Sequence, residues 1–142
     1  MTTYNLDTVV GGVLSERIRP QLAMRWERHY NIIAQAGLAV GDILQADIPV
    51  PNWVRTIVVS KRTNTANADT LTVQCQDAAL PIAPVLPIKT ANAIQTSGSS
   101  SNSASNTILM QLYPVGDFIR VLLTIATSIP AQGVLSIAFY DV

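Results

Sequence analysis

The stretch FIRVLLTIATSIPAQGVLSIAF, Phe118 to Phe139, decides between two kinds of protein. Arg120 is its single charge over 22 residues, which invites a membrane-spanning reading. A bilayer helix needs roughly 20 uninterrupted apolar positions. Here Ser128-Ile129-Pro130-Ala131-Gln132-Gly133 breaks the run in its middle. On either side the apolar residues alternate: Ile119, Val121, Leu123 and Ile125 share one face, and Leu135, Ile137 and Phe139 share another. A period of two belongs to a half-buried strand, so the stretch predicts two strands, Asp117 to Ala126 and Gly133 to Tyr140, joined by a Pro/Gly turn.

The same pattern extends upstream. Thr107 to Tyr113 is a further strand, separated from the first pair by Pro114-Val115-Gly116. In Thr70 to Gln76, Leu71, Val73 and Cys75 point one way and Thr70, Thr72, Gln74 and Gln76 the other. Ile43 to Ile48 is a short strand stopped by Pro49-Val50-Pro51, since proline cannot donate to a sheet ladder. Trp53 to Lys61 follows, rich in Val, Ile and Thr, and the polar run Arg62 to Asp69 has hairpin-loop composition. Ala78 to Lys89 carries Pro81, Pro84 and Pro87, so it reads as an edge crossing or connector. Ser97 to Asn106 is uncharged and low in complexity, a flexible loop.

The N-terminal third satisfies two templates. Leu22, Met24, Trp26, Tyr30, Ile32, Ala34 and Ala36 alternate as a long strand would, and Leu22, Trp26, Tyr30 and Ile33 also fit a helix opening at Pro20. Residues 1–21 are an N-terminal arm or short helix, and residues 22–142 the main domain. Seven or eight short strands without alternating helices predict an all-β sandwich, either jelly-roll or immunoglobulin-like.

Composition narrows the function classes. The 142 residues are 49% apolar and only 13% charged, with nine basic groups balancing nine acidic ones. Zero net charge gives no bulk attraction to nucleic acid or to an anionic membrane and little repulsion between copies. Twelve of the eighteen charges fall in Met1 to Arg62, leaving six in the remaining eighty residues, which are rich in Ser, Thr, Asn and Gln. A neutral surface of that kind meets neighbours without desolvating charge. Met1 to Asp7 lacks the basic and apolar regions of a secretory signal, and a lone cysteine forms no internal disulfide.

Catalytic chemistry is sparse. His29 is the single histidine, which excludes a multi-histidine metal site, and no nucleophile elbow accompanies it. It reads as an outward residue, solvated or at an interface. Cys75 shares a face with Leu71 and Val73 and reads as a core residue. Asp42 and Asp47 read as turn residues flanking a strand, not as a paired acid and base. Gly11-Gly12 lacks the rest of a phosphate loop. No enzyme, metal or cofactor is expected.

The informative polar feature is a cluster: Arg17, Arg19, Arg25 and Arg28 within twelve positions, with Trp26 and Tyr30 among them. As a nucleic-acid patch it is weak, because the local excess charge is small. Arginine with Trp and Tyr is the composition of a protein-interface hot spot, and an ordinary solvated surface is the plain alternative.

Gly41-Asp42-Ile43-Leu44-Gln45-Ala46-Asp47-Ile48-Pro49, the strand Trp53 to Val59, the Thr/Asn loop and Asp69 to Asp77 resemble small bacteriophage capsid cement or decoration proteins with a jelly-roll fold. Gly116 to Val121, followed through the Pro/Gly turn by Leu135 to Phe139, is similar to the closing hairpin of such modules. The resemblance runs from about Ala39 to Val142 and is one of style and strand order; the arginine-bearing N-terminal third and the serine loop depart from it. It implies a jelly-roll-like β-sandwich of about eight strands without catalytic residues. It further implies a virion protein made in the host cytoplasm and placed on the capsid exterior, where it bridges major capsid protein subunits as a homo-oligomer, a dimer or trimer. Arg17, Arg19, Arg25, Trp26, Arg28 and Tyr30 are then the candidate partner contacts. A carbohydrate-binding β-sandwich is the rival from another class, and a tail or head–tail component the alternative within the virion.

Overall fold

The computed structural model describes residues 2–9, 11–32, 39–67, 70–76, 86–92, 105–114, 117–125 and 133–142, with the backbone alone at 64–67, 74–76, 86–92 and 105–108. These residues contain no helix and form ten strands: β1 (Thr3–Asn5), β2 (Val13–Ile18), β3 (Met24–Asn31), β4 (Ile43–Pro49), β5 (Thr56–Asn67), β6 (Thr70–Gln76), β7 (Leu86–Asn92), β8 (Ser105–Leu112), β9 (Phe118–Thr124) and β10 (Gly133–Tyr140). The strands make two five-stranded sheets, β1-β4-β9-β6-β7 and β2-β3-β10-β5-β8.

The pairing identifies the topology. Setting β1 and β2 aside, the remaining eight strands pair from the outside inward and antiparallel: β3 with β10, β4 with β9, β5 with β8, and β6 with β7. Contacts β10–β5 and β9–β6 then join these pairs into the two sheets. A long antiparallel ribbon rolled so that its pairs alternate between two sheets is a jelly roll. The protein is therefore an all-β jelly-roll sandwich.

Alternation builds the core between the sheets. Ile119, Val121, Leu123 and Ile125 face it from one sheet and Leu135, Ile137 and Phe139 from the other, all buried, joined by Leu44, Ala46, Ile48, Ile57, Val59, Leu71 and Val73. Burying one such side chain stabilises the fold by roughly 1.5–3 kcal/mol. Cys75 lies in β6, but its side chain is outside those described.

Several expectations change. The Leu22–Ala36 ambiguity resolves as strand over Met24–Asn31; Ala34 and Ala36 lie outside the described residues. Of the two forms expected for the N-terminal segment, the described residues take the extended one and not the helix: β1 runs parallel to β4, and β2 runs antiparallel to β3, so each sheet gains an edge strand. The polar run after Lys61 continues β5 to Asn67 instead of forming a loop, because it pairs with β10 as far as Thr63 and with β8 as far as Asn67, across a register shift after Arg62. Lys61 and Thr63 extend the buried face of that strand. Ser105 and Asn106 belong to β8, and the rest of the serine loop is outside the described residues. Pro87 sits in β7, an edge strand, where a missing N–H is tolerated. Asp47 is not a turn residue: it lies within β4 and forms a two-pronged ion pair with Arg120 on β9, at 2.8 and 3.1 Å.

Asp42 does cap a turn. Gly41 adopts φ +93°, a conformation glycine takes without steric cost, and Asp42 accepts hydrogen bonds from the backbone N–H groups of Ala39 (2.8 Å) and Thr2 (2.9 Å). These two donors hold its carboxyl below the ordinary range. The second of them ties the start of β1 to the start of β4.

Candidate functional site

The candidate contact residues are divided by strand alternation. On β3, Trp26, Arg28 and Tyr30 lie opposite Phe139, Ile137 and Leu135 of β10 and so face the interior, toward the open edge of the sandwich. Glu16 and Ile18 of β2 stand next to Arg28 and Trp26 on the same face. A bulge near Phe139 and Tyr140, which pair with Trp26 and Met24, leaves Arg25 as the extra residue. Bulges re-aim side chains, and here the Arg25 guanidinium lies 4.7 Å from the ring centroid of Trp53.

Between these groups and the end of β4 lies a cleft of about 300 Å³, walled by Ile18, Trp26, Phe139 and Trp53, with Ile48, Pro49 and Pro51 on the far side and Glu16, Arg25 and Arg28 as its polar members. Trp26 stacks on Phe139 with centroids 4.5 Å apart at 30°, and Trp53 meets the same ring edge-on at 6.5 Å and 73°. The Arg28 guanidinium sits 5.2 Å from the Trp26 centroid and 5.9 Å from that of Tyr30. The Nε atoms of Arg25 and Arg28 are buried without a hydrogen-bond partner among the described residues. A guanidinium lying over an aromatic face is held by the ring quadrupole, worth about 0.5–2 kcal/mol depending on desolvation, and this attraction offsets part of that loss.

The Arg28 fork organises the rest. Nη2 donates to Glu16 Oε1 at 2.9 Å, and Nη1 donates to Asp7 Oδ1 and to the Tyr30 hydroxyl, both at 3.1 Å. The Tyr30 hydroxyl donates on to Asp7 at 3.0 Å, and the Trp26 indole N–H donates to Glu16 at 2.7 Å. That indole N–H, together with Arg28, holds the Glu16 carboxyl below its ordinary range although burial pushes the other way. The network ties the Asp7 turn, β2 and β3 into one wall.

Tyr30 is fully buried, so it supports Arg28 through its hydroxyl and offers no surface to a partner. Burial pushes that hydroxyl up to about 12, outweighing the Arg28 charge. An unfolded tyrosine releases its proton near pH 10. The folded state therefore binds more protons between these values, and stability falls as pH rises through them, by on the order of 2–3 kcal/mol. Tyr30→Phe should flatten this alkaline limb in denaturant titrations; an unchanged slope would remove Tyr30 as its source.

Arg17 and Arg19 lie on the other side of the sheet. Both approach Glu27, at 3.8 and 3.7 Å, and His29 sits beside them with Nε2 3.6 Å from Glu27 and Nδ1 2.7 Å from Ser136 Oγ. His29 is the outward residue expected, on a half-buried polar face. The sequence cluster is thus two sites: Arg25, Trp26 and Arg28 at the cleft, Arg17 and Arg19 on the outer face. Trp53, Phe139, Pro49, Pro51 and Glu16 were missed as cleft residues. Trp53, between a double proline and a strand, carried the one usable signal. Among the described residues no group of three or more His, Cys, Asp or Glu side chains is placed to hold a metal ion.

Fold and cleft together define a jelly-roll β-sandwich protein with an arginine–tryptophan cleft at the open edge of its two sheets. No protein-family model matches the sequence, and no curated protein matches it. Ten chains of solved structures match. One of them, described as "CBM4 structure and function", is 13% identical and aligns over 95% of this chain and 78% of its own, with a TM-score of 0.36.

Proposed function

We propose that the protein is a non-catalytic binding module whose partner is another protein, and specifically a decoration or cement protein on the exterior of a phage capsid. The observation that carries the first part is how the cleft aromatics are used. One indole face of Trp26 is taken by Phe139 and Arg28 lies over the same ring, while Arg25 covers Trp53. A sugar platform needs open ring faces, whereas desolvated arginine and tryptophan packed together are the usual make-up of a protein-binding hot spot. The second part is supported by the jelly-roll topology, the resemblance of residues 39–142 to cement proteins and the neutral surface. In this reading Arg25, Trp26 and Arg28 meet major capsid protein subunits, with Arg17 and Arg19 at the margin.

A cement protein acts by multiplicity. A dimer or trimer whose copies each hold a subunit makes the second contact intramolecular, so modest affinities multiply. Binding the assembled shell alone shifts the assembly equilibrium toward it.

Sedimentation with phage shells stripped of accessory proteins tests the reading. The chain should co-sediment to saturation, and Arg25→Ala, which leaves the Arg28 network intact, should weaken binding by about 10- to 30-fold. A monomer that stays in the supernatant and instead binds oligosaccharides would make it a carbohydrate module. Binding to tails but not shells would move it within the virion.

A further inference from the structure

We propose that β2 accepts an extended segment of a partner protein as an added strand, with an apolar side chain turned into the cleft and an acidic one set beside Arg17. The proposal rests on the reading of the protein as a protein-binding module and names the chemistry of the segment it takes.

β2 is an edge strand whose six residues are all exposed, and among the described residues nothing pairs with its outer side. An open edge presents unpaired N–H and C=O groups that a further strand satisfies. Natural edges are usually blunted by lysine or proline, but this one carries Val13, Leu14 and Ile18 at 41%, 54% and 73% exposure. Ile18 is also a wall of the cleft, so a strand laid along β2 places its inward side chains at the cleft mouth.

Charge and register argue for a different chain over a second copy. Two antiparallel copies of β2 related by a two-fold axis keep their faces, so residues directly opposite must share a face and the axis passes through a residue. An axis at Glu16 sets Glu16 against Glu16, and one at Arg17 sets Arg17 against Arg17. An axis at Ile18 sets Arg17 against Arg19, and one at Ser15 runs through the bulge between Val13 and Ser15. Like charges directly opposite destabilise a strand pair. A partner strand escapes this conflict by placing Asp or Glu opposite Arg17, whose Glu27 contact is long at 3.8 Å and whose side chain is 61% exposed. On the inner face Glu16 is already held by Trp26 and Arg28, so the inward position beside Ile18 is left for an apolar group.

Selection from a random library of peptides about ten residues long, displayed against the full chain, tests this. The enriched peptides should alternate apolar with Asp or Glu, and they should slow amide exchange across Val13–Ile18. Arg17→Glu should weaken them by about tenfold and turn the selection toward Lys and Arg. Ile18→Lys, exposed and tolerated by the fold, should abolish enrichment. Absence of enrichment, peptides without alternation, or protection confined to residues outside β2 would overturn the proposal. So would slowed β2 exchange in the peptide-free chain that tracks self-association, which would make a second copy the occupant. Shell binding retained by both variants, with no peptide selected, would refute the edge proposal while leaving the module reading intact. Absence of shell binding with alternating peptides still selected would do the reverse.

Discussion

Phe139→Ala is expected to lower the stability of the folded chain by about 3–5 kcal/mol, the range for truncating a buried aromatic side chain. Phe139 is 1% exposed and is the ring on which both cleft tryptophans rest, Trp26 by stacking at 4.5 Å and Trp53 edge-on at 6.5 Å. The loss has two parts: the transfer and cavity cost of the removed ring, and roughly 0.5–1.5 kcal/mol for each aromatic contact. Because β10 lies between β3 and β5, the void opens inside a central strand, where neighbours on both sides restrain collapse. Urea titration followed by tryptophan fluorescence reads both consequences, a lower midpoint and a changed native spectrum as Trp26 and Trp53 lose their packing. A cost under about 1 kcal/mol would mean that the cleft aromatics repack freely, in which case the cleft shape is not set by Phe139.

Gly12→Ala should act on the same wall from the other side. A Cβ at Gly12 would lie 2.0 Å from the Leu6 carbonyl oxygen and 3.0 Å from that of Val9, both backbone atoms with no side-chain freedom to yield. Gly12 N–H also donates to the Val9 carbonyl at 2.9 Å, and its own carbonyl accepts from Asn31 N–H at 2.6 Å. The turn must open to admit the methyl, drawing Leu6 from the core and loosening Asp7 from Arg28 and Tyr30. The expected cost is about 2–4 kcal/mol, in the range of overpacking with backbone displacement. Amide exchange should rise first in β1 and β2, ahead of β9 and β10. Uniform acceleration across all ten strands would show instead that the N-terminal strands unfold with the whole sandwich.

How much of this was legible beforehand depends on how local each cause is. The β9–β10 stretch announced itself because alternation is a property of neighbouring residues, and burial of one side of each strand follows wherever the pairing lies. β6 was equally clear, with Leu71 and Val73 buried as its pattern demands. The all-β class and the choice of strand over membrane helix therefore came from order along the chain alone. Arg62 to Asn67 carries loop composition, so the sequence ends β5 at Lys61, and only the ladders on either side, reaching Thr63 with β10 and Asn67 with β8, make it strand. The pairing of the N-terminal arm into the sheets is hidden for the same reason: β1 is three residues long, and its identity consists entirely of a parallel ladder to β4, forty residues away.

The site divides along the same line. Sequence determined that arginines and tryptophan cluster near the start of the chain, that catalytic groups are sparse and that strands dominate. Tertiary structure decided which side of the sheet each arginine occupies, that Tyr30 is a buried support, and that Trp53 and Phe139, 86 positions apart, pack together to complete the wall. A cleft between two sheets is assembled from residues distant in the chain, and only the rolled pairing of β3 with β10, together with the turn leading into β5, brings them within contact. Periodicity says which residues share a face; the pairing of strands says which faces meet.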